Sequence, residues 1–225
     1  MSDPAIYAIH DPATAISGLF RPLRRGERRE TKIDISSKFK GDTVRFVGRE
    51  SLGIDDEDVL LAVLAEAGID GKQLDPDRAG PVGQALLEAL NSTGIARSAS
   101  RIMVSTTVYR LMRHIGLAHS GPNHRRVKAN LVRLANYQNV ITAANGSSAQ
   151  ENILAWMEHS DGTLRIAVNH ALAAAILWGQ YISISLQERR TLTSETAKAL
   201  HSWLSATIHQ GKTMRIGVNA LGDHI

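Results

Sequence analysis

The chain has 225 residues, enough for one large or two small domains with real cores, and its 26 Lys and Arg against 22 Asp and Glu give a net charge of +4 at pH 7. Cysteine is absent, which excludes disulfides, thiolate nucleophiles and cysteine metal sites and fits a reducing compartment. Met1 to Asp11 lacks the apolar core of a secretory signal and the longest apolar run, Ala171 to Trp178, is too short to span a bilayer, so the expected protein is soluble and cytoplasmic.

Residues 1–17 are weakly patterned, with Asp3-Pro4 and Asp11-Pro12 as turn signals. A basic stretch follows, in which Arg21, Arg24, Arg25, Arg28, Arg29, Lys32, Lys38 and Lys40 outnumber Glu27, Glu30 and Asp34. Such a patch favours a polyanion over a neutral partner. Lys32 to Ile35 and Thr43 to Val47 alternate around Gly41-Asp42 and predict a β-hairpin. Asp55 and Asp56 suit a helix N-terminus, and Val59, Leu60, Val63 and Leu64 give that helix an apolar face, with Gly68 expected to end it. Residues 69–80 read as loop, 82–90 as a short helix, and 91–100 as a second loop.

The densest signal lies in residues 101–157. Arg101 to Val104 predicts a strand, and Ser105 an N-cap for a helix whose Val108, Leu111, Met112 and Ile115 share one stripe before Gly116 stops it. Pro122 starts a second helix, to about Asn136, with Val127, Leu131 and Leu134 on the buried side. At about 100° per residue, Arg125, Ala129, Val132 and Arg133 face the other way, with Arg126 and Lys128 on the flanks. Val140 to Thr142 predicts a strand, Asn145-Gly146 a tight turn, and Ile153 to Met157 the returning strand. Helix, turn, basic helix and hairpin together predict a winged helix-turn-helix whose second helix enters a major groove.

A second block is expected from Asp161-Gly162 onward. It holds a strand at Leu164 to Val168, an apolar helix closed by Gly179, a strand at Tyr181 to Leu186, and a helix capped by Ser194 with Ala197, Leu200, Leu204 and Ile208 inward. Thr213 to Ile216 reads as a strand. Val108, Leu111, His114 and Ile115 recur at the same spacing as Val218, Leu221, His224 and Ile225. The predicted fold is therefore α+β: a winged-helix domain with a basic N-terminal segment over 1–160, then over 161–225 the first part of a second, pseudo-repeated winged-helix domain that stops in its first helix. On this expectation the chain is a fragment of a longer protein.

Catalytic and ligand-binding constellations are not apparent. Gly211-Lys212-Thr213 has Ala206 where a phosphate-binding loop needs glycine, and it follows a helix where it should follow a strand. His114, His119 and His124 lack a completing cysteine or close carboxylate, so no metal is expected. No nucleophile–base pair suggests an enzyme, no cofactor is implied, and Trp156, Trp178 and Trp203 read as core.

Several clusters carry a family likeness: His10-Asp11-Pro12-Ala13, Gly18-Leu19-Phe20-Arg21, Arg25-Gly26-Glu27-Arg28, Leu52-Gly53 before Asp55-Asp56, Asn145-Gly146, and then Leu192, Ser194-Glu195-Thr196-Ala197, Leu200-His201 and Gly211-Lys212-Thr213. In these the chain resembles plasmid replication initiators of the RepC type from IncQ plasmids, more distantly TrfA, from about His10 to its end. The resemblance implies two winged-helix domains, binding of direct repeats (iterons) at a plasmid origin, opening of adjacent A+T-rich DNA, recruitment of a replicative helicase, and a monomer–dimer equilibrium. It fixes no base-reading residue, so contacts are placed by geometry. Arg125 suits guanine edges, Ala129 and Val132 thymine methyls, and Arg133 and Lys128 phosphate or base. Arg126 flanks them, His124 faces phosphate, Asn145 lies on the wing beside the backbone or minor groove, and Arg24, Arg25, Arg28 and Arg29 add phosphate contacts. Two alternatives stay open: a winged-helix transcriptional regulator binding an inverted repeat, and a dimerisation or protein-docking module.

Overall fold

The computed structural model describes residues 5–24, 32–179, 181–208 and 211–217. In chain order they form β1 (Tyr7–His10), α1 (Pro12–Ile16), β2 (Phe20–Arg21), β3 (Ile33–Phe39), β4 (Asp42–Gly48), β5 (Leu52–Gly53), α2 (Ile54–Asp70), β6 (Lys72–Leu74), α3 (Pro81–Ala89), β7 (Thr93–Gly94), a 3₁₀ turn (Ile95–Ser98), β8 (Arg101–Thr107) and α4 (Val108–Ile115). There follow α5 (Gly121–Ala135), β9 (Gln138–Thr142), β10 (Ser148–Asn152), β11 (Leu154–Glu158), β12 (Thr163–Val168), α6 (His170–Trp178), β13 (Ile182–Ser185), α7 (Leu186–Thr191) and α8 (Glu195–Thr207). This is an α+β fold.

Helix α2 is its centre. The Gly53 N–H donates to the Asp56 carboxylate at 2.8 Å, and Asp55, Asp56 and Glu57 put negative charge in the first turn, where the helix dipole favours it. Beyond that turn Val59, Leu60, Leu61, Ala62, Val63 and Leu64 are all buried, so the helix is covered on every side rather than on the single face its sequence pattern suggests. Each buried Leu or Val contributes about 1.5–3 kcal/mol. Helices α4 and α5 pack on it and on each other. Gly68 does not end the helix, which runs to Asp70 and is capped by Gly71.

Two larger sheets have the orders β3-β4-β9-β10-β7 and β11-β12-β8-β6, the second packing on these helices through β8 and β11. The β3–β4 hairpin is as expected but longer, turning at Lys40 and Gly41, both of positive φ. Strand β9 pairs with β4 on one side and β10 on the other, so the turn carrying Asn145 belongs to the five-stranded sheet. Its returning strand is Ser148–Asn152. Ile153 to Met157, expected in that role, instead enters β11, which pairs with β12. Strand β12 pairs in turn with β8 from Thr163↔Thr107 to Val168↔Ile102. The turn between β11 and β12 is where a domain division after residue 160 is expected; one apolar cluster contains Leu154 and Leu164 from its two sides and extends from Ala8 to Ala199.

Several expectations are corrected. The cap of α4 is Thr107, whose hydroxyl accepts from Arg110 N, while Ser105 lies within β8. Residues 5–17 hold β1, which pairs antiparallel with β13, and α1. The loop expected over 69–80 contains β6, paired with β8. Helix α8 buries Ala199, Ser202 and Trp203 and leaves the predicted stripe half-buried; on the buried face the Ser202 hydroxyl accepts from Arg189 at 2.6 Å. Trp178 is 64% exposed and is not core. Residues 213–216 form no strand, and the repeat over 218–225 lies outside the described residues. No helix among the described residues is long and apolar enough to cross a membrane.

Candidate nucleic-acid interface

Helix α4 ends at Gly116, whose φ of 83° is the left-handed conformation that glycine adopts without strain, and the Leu117 N–H closes back on Met112 O at 2.9 Å. Ser120 caps α5 by accepting from Asn123 N, and the Asn123 amide donates to Ala118 O at 2.8 Å, so the linking turn is bonded at both ends. Val127, Leu131 and Leu134 are fully buried, as predicted. Asn130 joins them, its amide donating to Asp55 O at 2.7 Å, which sets the register of α5 against the first turn of α2.

On the outward side Arg125 and Ala129 are exposed and Val132 is 48% exposed. Arg125 makes no ion pair with any described residue. Arg126 lies 3.5 Å from Asp55 with its side chain 50% exposed, and His124 is half-buried nearby. The N-terminal half of α5 thus gathers cations at the positive end of its dipole, an arrangement that suits a phosphate backbone.

Arg133 does not belong to this face. Its Nε donates to Asp56 Oδ1 at 2.8 Å, its side chain is 14% exposed, and its guanidinium also donates to Asn130. The 100° rule places it at the edge of the outward arc, and the buried Asp56 draws it in. Lys128 donates to both Glu158 oxygens, at 2.8 and 2.6 Å, tying α5 to the end of β11. Its charge is therefore shared with a carboxylate. Asn145 sits exposed in the β9–β10 turn with Oδ1 accepting from Ser147 N and Oγ, a local bond that shapes the turn. Arg24 is exposed, whereas Arg25, Arg28 and Arg29 lie outside the described residues.

Three buried polar networks cross-link the fold, and none is marked by periodicity. The Arg101 guanidinium, 1% exposed, reaches Glu151, which also accepts from Ser92 at 2.6 Å and from His170 Nδ1 at 2.7 Å. Burial pushes the Glu151 carboxyl up, but those bonds and the Arg101 charge outweigh it and hold it below the usual range. Arg189 bridges Glu57 and Asp58, binding α7 to α2; burial raises the Glu57 carboxyl in spite of Arg189. His114 Nδ1 accepts from Ala5 N at 2.9 Å, so its other nitrogen carries the proton donated to Glu66. His119 sits edge-on to Tyr109, and no cluster of metal-ligating residues occurs among the described residues.

A family model described as Replication protein C (RepC) matches residues 5–225. No curated protein matches the chain. Among solved structures the chain is similar to selenomethionine derivatives of domain 2 and domain 3 of RctB, with 14% identity and a TM-score of 0.46 over 89% of this chain and 71% of that one. A second crystal structure, of RctB domains 2-3, gives 13% identity and a TM-score of 0.39 over 70% of this chain and 55% of that one.

Proposed function

The chain belongs to the replication protein C (RepC) family, and on that premise we propose that it initiates plasmid replication by binding direct repeats at the origin through a winged helix-turn-helix. Helices α2, α4 and α5 supply the three-helix unit and α5 the recognition helix. The connectivity supports this reading. Strand β8 precedes α4, β11 and β12 follow α5, and the three pair in the order β11-β12-β8, the antiparallel sheet of a winged helix. On this reading the wing is the turn between β11 and β12, and the β9–β10 hairpin with Asn145 is an insertion that joins the other sheet.

The observation that carries the proposal is the outward stripe of α5. Arg125 is exposed without an ion pair among the described residues, and Ala129 and Val132 follow it at helical spacing as small, apolar neighbours. A guanidinium beside exposed alkyl groups suits a guanine next to thymine methyls. Arg126 and His124 supply backbone contacts beside it, and Arg24 is a further phosphate contact. Opening of A+T-rich DNA, recruitment of a replicative helicase, a homodimer that exchanges with monomer, and action in the cytoplasm belong to the same proposal. It needs no catalytic group and no cofactor.

Selection from a random duplex library, followed by methylation interference on the enriched sequence, tests it. The expected result is one short motif, present as direct repeats in the origin of the chain's own replicon, with interference at guanine N7 in the major groove. Enrichment of a palindrome bound by a dimer would favour the transcriptional regulator instead. Absence of any enriched sequence would leave the docking module.

A further inference from the structure

The exposed stripe of α5 does not stop at Val132. Asn136 continues it, so Arg125, Ala129, Val132 and Asn136 lie on one face over about 16 Å of helix axis at 1.5 Å per residue. Asn136 is also part of the wall of an open cleft of about 1030 Å³ at the C-terminal end of α5. Lys32, Arg49, Glu50 and Gln138 stand around it. Arg133 reaches the same cleft, but its charge is answered by Asp56. Ile33 and Gly48 form the last pair of the β3–β4 hairpin, so Lys32 and Arg49 flank its open end side by side. Both are exposed, and neither makes an ion pair with a described residue. Glu50 is the one carboxylate among the described lining residues. Two adjacent cations on a cleft wall repel each other until an anion is shared between them.

We propose that this cleft takes the sugar–phosphate backbone of the strand opposite the one met by the N-terminal end of α5, with Lys32 and Arg49 as its phosphate contacts. The inference rests on the DNA-binding reading above. A major groove is about 12 Å wide, so a stripe of about 16 Å reaches from one backbone to the other. At its N-terminal end the helix dipole itself favours phosphate. At its C-terminal end the dipole repels phosphate, so the positive charge must come from another part of the chain. The open end of the β3–β4 hairpin delivers it there. Asn136 and Gln138 add neutral donors between the helix and the two cations.

The test compares wild type with the Lys32→Ala/Arg49→Ala double variant on the preferred duplex and on a scrambled duplex of equal length across a salt series. Each phosphate contact contributes about 0.9 to the slope of log affinity against log salt, so the double variant should lose about 1.8 of slope. That makes the fall in its affinity between about 50 and 200 mM salt roughly tenfold smaller than that of wild type. Both duplexes should weaken alike, with their affinity ratio kept. Phosphate ethylation interference should vanish on one strand only. Arg49→Gln alone should lose about 0.9 of slope, and the charge-preserving Lys32→Arg/Arg49→Lys should keep the wild-type slope. An unchanged slope and ethylation pattern in the double variant, with wild type still preferring its duplex, would overturn the cleft contact alone. A wild type that binds both duplexes equally would overturn the reading beneath it.

Discussion

Replacing Arg133 with alanine should cost stability and leave the sequence preference of DNA binding intact. Arg133 Nε lies 2.8 Å from Asp56 Oδ1, and the two side chains are 14% and 0% exposed. Asp56 also accepts the N–H of Gly53 at the start of α2, so the pair fastens α5 to the cap of the central helix. Removing one partner of a fully buried ion pair costs about 3–5 kcal/mol, since a carboxylate is left without its cation. Arg133 keeps some exposure, and water can enter beside Asp56 once it is gone, so the expected loss is about 2–4 kcal/mol. In a chain of this length that lowers the melting temperature by roughly 4–16 °C. Urea unfolding measures the loss. Binding to preferred and scrambled duplexes, at a temperature where wild type and variant are both folded, measures the preference. A variant of unchanged stability that no longer distinguishes the duplexes would instead place Arg133 in the groove.

Arg125→Ala should weaken binding to the preferred duplex by about 1–3 kcal/mol and relax selection at one base position, read by competition against single-base variants of the site. Glu158→Gln should strengthen binding to every duplex alike and steepen the salt dependence, because it releases Lys128; an unchanged slope would show that Lys128 is remote from DNA. Thr107→Ala should cost about 1 kcal/mol in urea unfolding as the loss of the α4 cap, and Ser105→Ala should cost less than about 0.5 kcal/mol. Burial, aided by the Arg189 charge, lowers the pKa of His10 to about 3. The unfolded chain therefore takes up this proton first as pH falls, so the stabilisation is whole above about pH 6.5 and is lost progressively from there toward pH 3, by up to about 1.4 kcal/mol per pH unit. Asp11, raised by burial, acts in the opposite sense. Unfolding of wild type and His10→Gln at about pH 7 and pH 5 should thus show wild type losing more stability between the two values. Equal losses would contradict it.

Local chemistry made the centre of the site legible. The capping glycine at 116, the proline that opens α5 and the spacing of Val127, Leu131 and Leu134 act within a few residues, and the helices follow them. Beyond the local β3–β4 hairpin, strand pairing acts over long separations and was not legible. Whether Ile153 to Met157 returns beside β9 or starts a new hairpin depends on β12, and β12 is positioned by β8, more than fifty residues earlier in the chain. The same distance hid the fate of the charges. Arg133 and Lys128 read as cations on the outward face and its flank until Asp56 and Glu158 come into place. Trp178 sits in an apolar run that predicts burial, yet at the last position of α6 it faces outward.

The measurement that bears most directly on the account is a salt titration of binding to the origin direct repeats against a scrambled duplex of equal length. Affinity should fall with salt for both while the preference for the repeats persists, since base contacts from α5 would release no counterions. Equal and equally salt-sensitive binding to the two duplexes would contradict it, leaving a cationic surface that holds DNA without reading it.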